Sequence, residues 1–291
     1  MNKILCALLL FSINYSFSQE VKNENITPSE VNSETEKPEN KKPVIEDNSF
    51  FIEEAHNQEA GVVQFINSCI IEPGKLTYNF ANEIPLRGTK HQISYAISYA
   101  SVSDSGINTH GFKELMLNYR YELLGEDKLV QCTPRISLIV PTGNMGEDAW
   151  GGQTNVSFSK DISHCFVVHA NLGATYKSTV KKTIFDIYDN RIHIVKRNLY
   201  SYNVGASSIF MVRRNFHLML EGVENFTSEI NEEGKVEHIA QTILSPGFRI
   251  AFDIGNAQIV PGFCLPLTFS NEKPGTAAFF YLSIETDFNK K

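Results

Sequence analysis

Ionisable residues recur at alternate positions of this chain, most of them between apolar neighbours. Around His217 and Glu221, for example, every second residue is apolar. Such spacing places polar side chains on one face of an extended chain, where they can pair, bind a solute or line an aqueous path. The residues predicted to line such an interior are Glu114, Arg120, Glu122, Arg135, His169, His217, Glu221, Arg249 and Glu285.

The charges of this face allow two interpretations. With Asp287 added, acids outnumber arginines, and the interior is predicted to be mildly acidic. Arg135, His169 and Glu221 fall near the middle of their segments. Since buried charges need partners, the set either lines a water-filled pore and sets its selectivity, or forms ion pairs that close the interior.

Catalysis is the weakest hypothesis. His169 with Glu221, or Ser163 beside His164, offers a base near an acid or a nucleophile. A nucleophilic site also needs an orienting group at fixed spacing, and no glycine-flanked nucleophile or ordered triad accompanies either pair. No CxxC spacing indicates zinc. The sequence therefore predicts no catalytic residue, no metal site and no cofactor.

The elements that position these residues are predicted to be β-strands, because the hydrophobic period from about Gly61 is two. Most candidates are 10–14 residues long, whereas ordinary strands have about five or six residues and a tilted bilayer-crossing strand about 9–11. The candidates are 62–71, 75–86, 90–101, 110–124, 128–141, 152–160, 164–177, 199–212, 214–227, 239–252, 256–269 and 276–288.

Short and long links alternate between these candidates. Val102–Thr109, Thr142–Gly151 and Ser178–Asn198 are long, and the last is predicted to form a hairpin above a membrane. Aromatic residues gather at both ends of the strands, as in the girdles of outer-membrane barrels. We predict an all-β, transmembrane, antiparallel up-and-down β-barrel of about twelve strands. A soluble β-sandwich is the alternative, but it would have shorter strands and no such asymmetry of links.

The first sixty residues have a different composition. Residues 1–18 resemble a secretory signal peptide, with Lys3 before an apolar run and small residues before position 19. Residues 19–48 are rich in Glu, Lys and Pro and lack aromatics, so they cannot bury enough apolar surface to fold alone. The predicted organisation is a signal peptide over 1–18, a disordered acidic leader over 19–60 and an outer-membrane barrel over 61–291.

Composition also limits the partners. The net charge is -7 and no long Lys/Arg run occurs, which argues against a nucleic-acid partner. The expected partners are outer-membrane lipid and a small-molecule solute, and the expected location is the outer membrane of a Gram-negative bacterium.

Four motifs occur in an order that resembles a known family: GFKELMLNYRYELL (111–124), PRISLIVPTGN (134–144), GGQTNVSFSKDISHCFVVHANLGATY (151–176) and LSPGFRIAFDIGNAQIVPGFCLPLTF (244–269). Together they are similar to the outer-membrane proteins labelled "MetA-pathway of phenol degradation", a group of β-barrels regarded as transporters. The similarity covers roughly residues 72–288. It implies transport and supplies no catalytic motif, and the label does not establish phenol as a substrate.

The predicted function is passive passage of a small solute through a channel. The first alternative is a non-conducting structural or surface-interaction barrel that acts through its long outer loops, chiefly 178–198. The second alternative is a barrel hydrolase.

Overall fold

The computed structural model describes residues 45, 49–104, 106–186, 191–270 and 274–289. The described residues form fifteen strands: β1 (Val62–Glu72), β2 (Lys75–Pro85), β3 (His91–Asp104), β4 (Ile107–Tyr121), β5 (Gln131–Val140), β6 (Gly151–Ser163), β7 (Phe166–Asp186), β8 (Arg191–Arg213), β9 (Phe216–Ile230), β10 (Val236–Ile250), β11 (Phe252–Ile254), β12 (Ala257–Cys264), β13 (Leu267–Ser270), β14 (Gly275–Thr276) and β15 (Ala278–Asp287).

These strands make a closed antiparallel barrel of twelve staves. Three staves are interrupted: β10 continues as β11 after Ala251, β12 continues as β13 after 265–266, and β14 continues as β15 after Ala277. Pro266, which cannot donate to a ladder, lies in the second interruption. Successive strands pair in order, and β1 pairs with β15 from Val62↔Asp287 to Ile71↔Ala278, which closes the sheet. The predicted all-β barrel is confirmed.

The barrel forms because alternate side chains face opposite environments. Along β8, Tyr200, Tyr202 and Val204 are exposed on the outside, whereas Gly205 and Ser207 are buried on the inside. Large exposed apolar side chains surround the barrel in this way. A continuous apolar exterior around a polar interior is the pattern expected of a barrel that faces lipid. Within the described ranges, no helix is long and apolar enough to cross a membrane.

The two ends of the barrel differ. At one end lie the termini and the links between β2 and β3, β4 and β5, β6 and β7, β8 and β9, and β11 and β12. We call this the termini end. At the opposite end, β3 and β4 extend through most of the predicted loop 102–109. Only a tight turn remains between them, where the sequence predicted a long link. β7 and β8 have 21 and 23 residues and pair as far as Asp186↔Arg191, which forms the predicted hairpin.

Aromatic residues mark both margins of the exterior. At the end opposite the termini, the rings of Tyr176 and Tyr200 lie 5.0 Å apart and are exposed. At the termini end, Phe210, Phe252 and Phe288 are exposed. Such rings suit the boundary between hydrocarbon and water, because their bodies are apolar and their edges are polar.

The interior holds part of the chain that precedes β1. Ile45 packs on Ala251 and Val260, close to the termini end. Ser49–Gln58, which we call the lumenal segment, lies inside the barrel, and the chain then enters β1 at Val62. The sequence placed these residues in the leader. The predicted signal peptide and residues 19–44 and 46–48 of the leader lie outside the described residues and stay predictions.

Candidate functional site

The lumenal segment is the feature around which the interior side chains are arranged. Ile52 and Ala55 are 2% and 1% exposed. Glu54 is also buried. The segment contacts strands from β3 to β9 as well as β1 and β15, so it is held around most of the circumference of the barrel.

Glu221 holds the innermost turn of the segment. The N–H groups of Phe50 and Phe51 donate to its two carboxylate oxygens, Oε1 and Oε2, at 2.8 Å each. Next to them, the hydroxyl groups of Ser49 and Ser207 are hydrogen-bonded at 2.7 Å. A buried carboxylate that accepts two backbone N–H groups satisfies donors that would otherwise be costly to bury.

Beyond its tip, the segment is bound through the backbone of Glu53 and Ala55. The N–H of Glu53 donates to Oδ1 of Asn171 at 2.7 Å, and Nδ2 of Asn171 donates to the carbonyl of Glu53 at 2.8 Å. The N–H of Ala55 donates to Oγ of Ser159 at 2.7 Å, and Oγ1 of Thr133 donates to the carbonyl of Ala55 at 2.6 Å. Wall side chains thus take the place of a neighbouring strand.

Apolar contacts fix the tip of the segment. The centroid of the Phe50 ring lies 5.4 Å from that of Phe279 and 5.5 Å from that of Tyr281. The centroid of the Phe51 ring lies 5.0 Å from that of Phe279. The wall leaves room for Phe50 at Gly262, where an added Cβ would lie 2.6 Å from Cε1 of the ring.

Arg135 links the segment to the open part of the lumen. Its Nη2 lies 2.7 Å from Oε1 of Glu53, and its guanidinium also donates to Asn118 at 3.0 Å and to Gln153 at 2.9 Å. Burial by itself raises the pKa of Glu53, but the charges of Arg135 and Arg120 outweigh it and hold that pKa below its ordinary value. Glu53 is therefore ionised at neutral pH.

A buried amide network closes the interior toward the termini end. The N–H of Gln58 donates to Oε1 of Gln92 at 2.7 Å, and its Nε2 donates to Oε1 of Gln64 at 2.7 Å. Nε2 of Gln92 donates to Oε2 of Glu83 at 2.7 Å. Gln64 and Gln92 are both fully buried.

Above this network an open space remains beside the segment. It has a volume of about 340 Å³ and lies between the tip of the segment and the inner faces of β1 to β6 and β15. Arg120, Arg135 and Glu83 contribute its charges, and Phe279 and Tyr281 part of its apolar wall. The space is large enough for a small molecule, and Glu83 in its wall is hydrogen-bonded to Gln92 of the glutamine network.

The structure places the predicted interior residues as follows. Arg120, His169, His217, Glu221 and Arg249 are buried, and Arg135 is nearly so. Arg120 donates to the carbonyl of Glu54, and His169 is bonded through Nδ1 to Ser159. Three of the predicted residues, Arg120, Arg135 and Glu221, therefore meet on the segment.

The other predicted residues lie nearer the rims. Glu114 pairs with Lys177 at 2.9 Å, toward the end opposite the termini. Glu122 and Glu285 are half-buried at the termini end.

The sequence did not single out the uncharged residues that bind the segment: Gln64, Gln92, Thr133, Ser159, Asn171 and Ser207. Their types are common on any lumen face. One signal was available in the segment itself, where Phe50, Phe51 and Ile52 end the aromatic-free stretch.

Comparison with known proteins gives the fold. A solved outer membrane channel from Pseudomonas putida F1 superposes with a TM-score of 0.58 at 15% identity, covering 80% of this chain and 97% of that one. The chain has the fold of an outer-membrane β-barrel. The NanC porin has a TM-score of 0.48 at 6% identity, covering 77% of this chain and 98% of that one, and the CymD monoaromatic hydrocarbon channel has a TM-score of 0.41 at 12% identity, covering 79% and 89%. At these scores the two superpositions add nothing to the assignment.

Sequence comparison gives no family. No family model matches the chain, and no curated protein is detectably similar to it. The family label suggested by the ordered motifs therefore stays a prediction, and the fold is the level at which the chain is assigned.

Proposed function

We propose that this protein is an outer-membrane channel for passive passage of small solutes and that the lumenal segment is the barrier that moves to open it. The observation that carries the proposal is the way the interior is filled. A closed, polar-lined barrel contains one segment that is bound by side chains and does not belong to the barrel ladder.

The chemistry of docking supports a movable barrier. The segment is bound mainly through hydrogen bonds, each of which contributes a net of only about 1 kcal/mol, since water can replace either partner. Its displacement leaves the pairing of β1 to β15 intact, because no ladder contact involves Ser49–Gln58. Movement of the segment is therefore far less costly than deformation of the barrel.

The open space supports a small, polar solute. It presents both charge signs, with Arg120 and Arg135 facing Glu83 and Glu53, and Glu83 in turn accepts a hydrogen bond from Gln92. A solute that enters this space meets the segment and the glutamine network before it can reach the termini end. The resemblance of the ordered motifs to a group of transporters agrees with this role.

We propose no catalytic role for the buried Ser159–His169 pair. Its Oγ and Nδ1 atoms are 2.6 Å apart, as in a nucleophile and its base. However, the same Oγ accepts the N–H of Ala55, and Ser159 is 2% exposed. Because this oxygen already accepts the N–H of Ala55, the pair positions the segment.

Deletion of residues 45–58 tests the proposal. The full chain and the variant are reconstituted in liposomes, and swelling is measured with arabinose, glucose and raffinose. We expect rapid, size-dependent swelling with the variant and slow swelling with the full chain. The matched control deletes residues 27–40 of the predicted leader, which has the same length and is expected to leave the slow rate unchanged.

The principal rival is a non-conducting barrel. It is favoured if the variant folds, as shown by heat-modifiable migration on a gel, but permits no swelling. Swelling that is equally rapid with the full chain and with the variant also contradicts a barrier role for the segment.

A further inference from the structure

A second cavity lies between the lumenal segment and the opposite wall, near the termini end. Its volume is about 190 Å³. The segment contributes Glu54 and His56, and strands β5 to β10 contribute the wall. It is separate from the 340 Å³ space, which lies against β1 to β6 and β15.

Two polar side chains in this cavity point to a ligand. His217 is 1% exposed, and no described group completes a hydrogen bond of normal geometry to either ring nitrogen, although the backbone of Arg214 lies beside the ring. Gln131 is 6% exposed, and among the described residues its Oε1 has no partner. Buried polar groups are nearly always satisfied, so both require a partner that occupies the cavity.

The order of the strands separates the chemistry of the cavity into two ends. Gln131 on β5 and Asp161 on β6 form an acceptor end. Val167 on β7 and Ile209 on β8 are paired in the ladder and supply an apolar part of the wall between the ends, beside His169, whose Nδ1 is hydrogen-bonded to Ser159. His217 on β9 and Arg249 on β10 are also paired and form a donor end.

This arrangement restricts the class of ligand. Three inter-strand spacings of about 4.8 Å, roughly 14 Å in all, separate β6 from β9. Because the side chains of both strands converge into the lumen, the two ends of a ligand must lie less than this distance apart. The complementary molecule has an ammonium group for the acceptor end, a carboxylate for the donor end and a short apolar chain between them. Among the described residues no group of His, Cys, Asp or Glu is arranged to hold a metal ion, which argues against a cation alone.

We propose that this cavity binds a small zwitterion of the ω-amino-acid type between the lumenal segment and strands β5 to β10. The proposal goes beyond passage through the channel and does not depend on it. Because Glu54 and His56 of the segment line the same cavity, the bound molecule contacts both the wall and the segment.

Binding is tested by calorimetry on the full-length protein in detergent. The probes are glycine, 4-aminobutyrate and 6-aminohexanoate, with butylamine and butyrate as compounds that retain only one charged end. We expect one of the three zwitterions to bind with saturation, and each one-ended compound to bind at least about tenfold more weakly, the loss expected for one charge-assisted contact.

Two variants at opposite ends locate the site. His217→Phe and Gln131→Met keep the size of each side chain, and each is expected to weaken binding by about tenfold. His110→Phe, which changes an exposed histidine on β4, is the matched control and should bind as the full chain does. Folding of each variant is checked by heat-modifiable migration.

The proposal is overturned if none of the zwitterions binds to the unaltered protein, since the cavity then holds water only. It is also overturned if butylamine or butyrate binds as tightly as the zwitterion, or if both variants bind with unchanged affinity. Comparison of the probes on the unaltered protein decides the matter even where a variant fails to fold.

Discussion

At the scale of single residues, Glu221 is the strongest point of attachment for the lumenal segment. Its carboxylate accepts from two consecutive backbone N–H groups, those of Phe50 and Phe51, at 2.8 Å each. Both donors lie inside the barrel, where a backbone N–H group that loses its partner is costly. The sequence indicated Glu221 as an interior residue near mid-strand but gave no sign that its partner is backbone from the leader.

Replacement Glu221→Gln is expected to loosen the segment. The amide retains one acceptor oxygen and presents an NH₂ group to the second N–H, at a cost of about 2 kcal/mol. A glutamate-specific protease should then cleave after Glu53 and Glu54 roughly thirtyfold faster, as followed by mass spectrometry. Glu229→Gln, an exposed change on the same strand, is the control. Equal cleavage rates in the variant and the unaltered protein would show that Glu221 does not hold the segment.

Gly262 gives a steric test of the same docking. A Cβ at this position meets the ring of Phe50 at 2.6 Å, which is closer than side-chain atoms tolerate, so Gly262→Ala is expected to displace Phe50 and to increase cleavage at Glu53. Gly222→Ala is the matched control, because nothing lies within 4 Å of its added Cβ. If both alanine variants resist the protease equally, Phe50 is not seated against Gly262.

The ionisation of Glu53 makes docking of the lumenal segment depend on pH. Its pKa in the folded protein is lowered from 4.5 by Arg135 and Arg120, so its stabilising contribution is present above that ordinary value and is lost as the pH falls through the lowered value. We expect bilayer conductance to rise as the pH falls below 4.5. Glu53→Gln should raise conductance at neutral pH and flatten the rise, whereas Glu229→Gln should leave the profile unaltered. A steep rise that persists in Glu53→Gln would assign the effect to other groups.

At the scale of elements, the strands could be predicted because each follows from local alternation. Leu218 and Leu220 lie on the lipid-facing side of β9, and His217 and Glu221 lie on its polar, inward-facing side. Because this alternation is local, a period of two specifies the strand without long-range information. The lengths of the links were less predictable. Val102 and Thr109 pair in the ladder above the aromatic girdle, where the sequence pattern no longer distinguishes strand from loop.

The lumenal segment could not be predicted from local pattern. Its polar groups are satisfied by Gln92, Ser159, Asn171 and Glu221, which are far away in sequence and come together only after the barrel closes. Composition alone indicates that residues of this kind stay unfolded, since they bury little apolar surface. A lumen that supplies partners to the backbone reverses that expectation for Ser49–Gln58.

The hairpin of β7 and β8 is predicted to be dispensable for the barrel. Deletion of Lys182–Val195 removes the part beyond the girdle and leaves the ladder from Phe166↔Phe210 to Lys177↔Leu199 intact. We expect the variant to remain heat-modifiable and to give the same solute swelling as the unaltered protein when residues 45–58 are also removed. Loss of swelling in that background would indicate that the hairpin forms part of the pore.

At the scale of the whole molecule, the barrel explains a composition that resembles that of a soluble protein. Hydrophobic residues make up 42% of the chain and charged residues 20%. Lipid-facing side chains occupy every second position, so no long apolar run is needed to coat the exterior. The interior is then largely polar, and the chain preceding β1 has both the room and the partners to lie within it.

The protein is thus proposed to be a channel with a movable internal barrier, in which the barrel and the barrier belong to one chain. A reversible disulfide between the segment and the barrel wall tests the barrier and the channel in one molecule. Oγ of Ser49 and Oγ of Ser207 are 2.7 Å apart, so that Ser49→Cys with Ser207→Cys places two thiols within reach of a disulfide. Ser207→Cys alone is the control for the native cysteines.

The most direct measurement is the current through single molecules of this double variant in a planar bilayer, before and after a reductant is added. The account predicts that the oxidised protein stays closed and that reduction restores openings whose maximal conductance equals that of the variant lacking residues 45–58. Equal currents in the oxidised and reduced states would contradict it, since the segment would then have no control over the path.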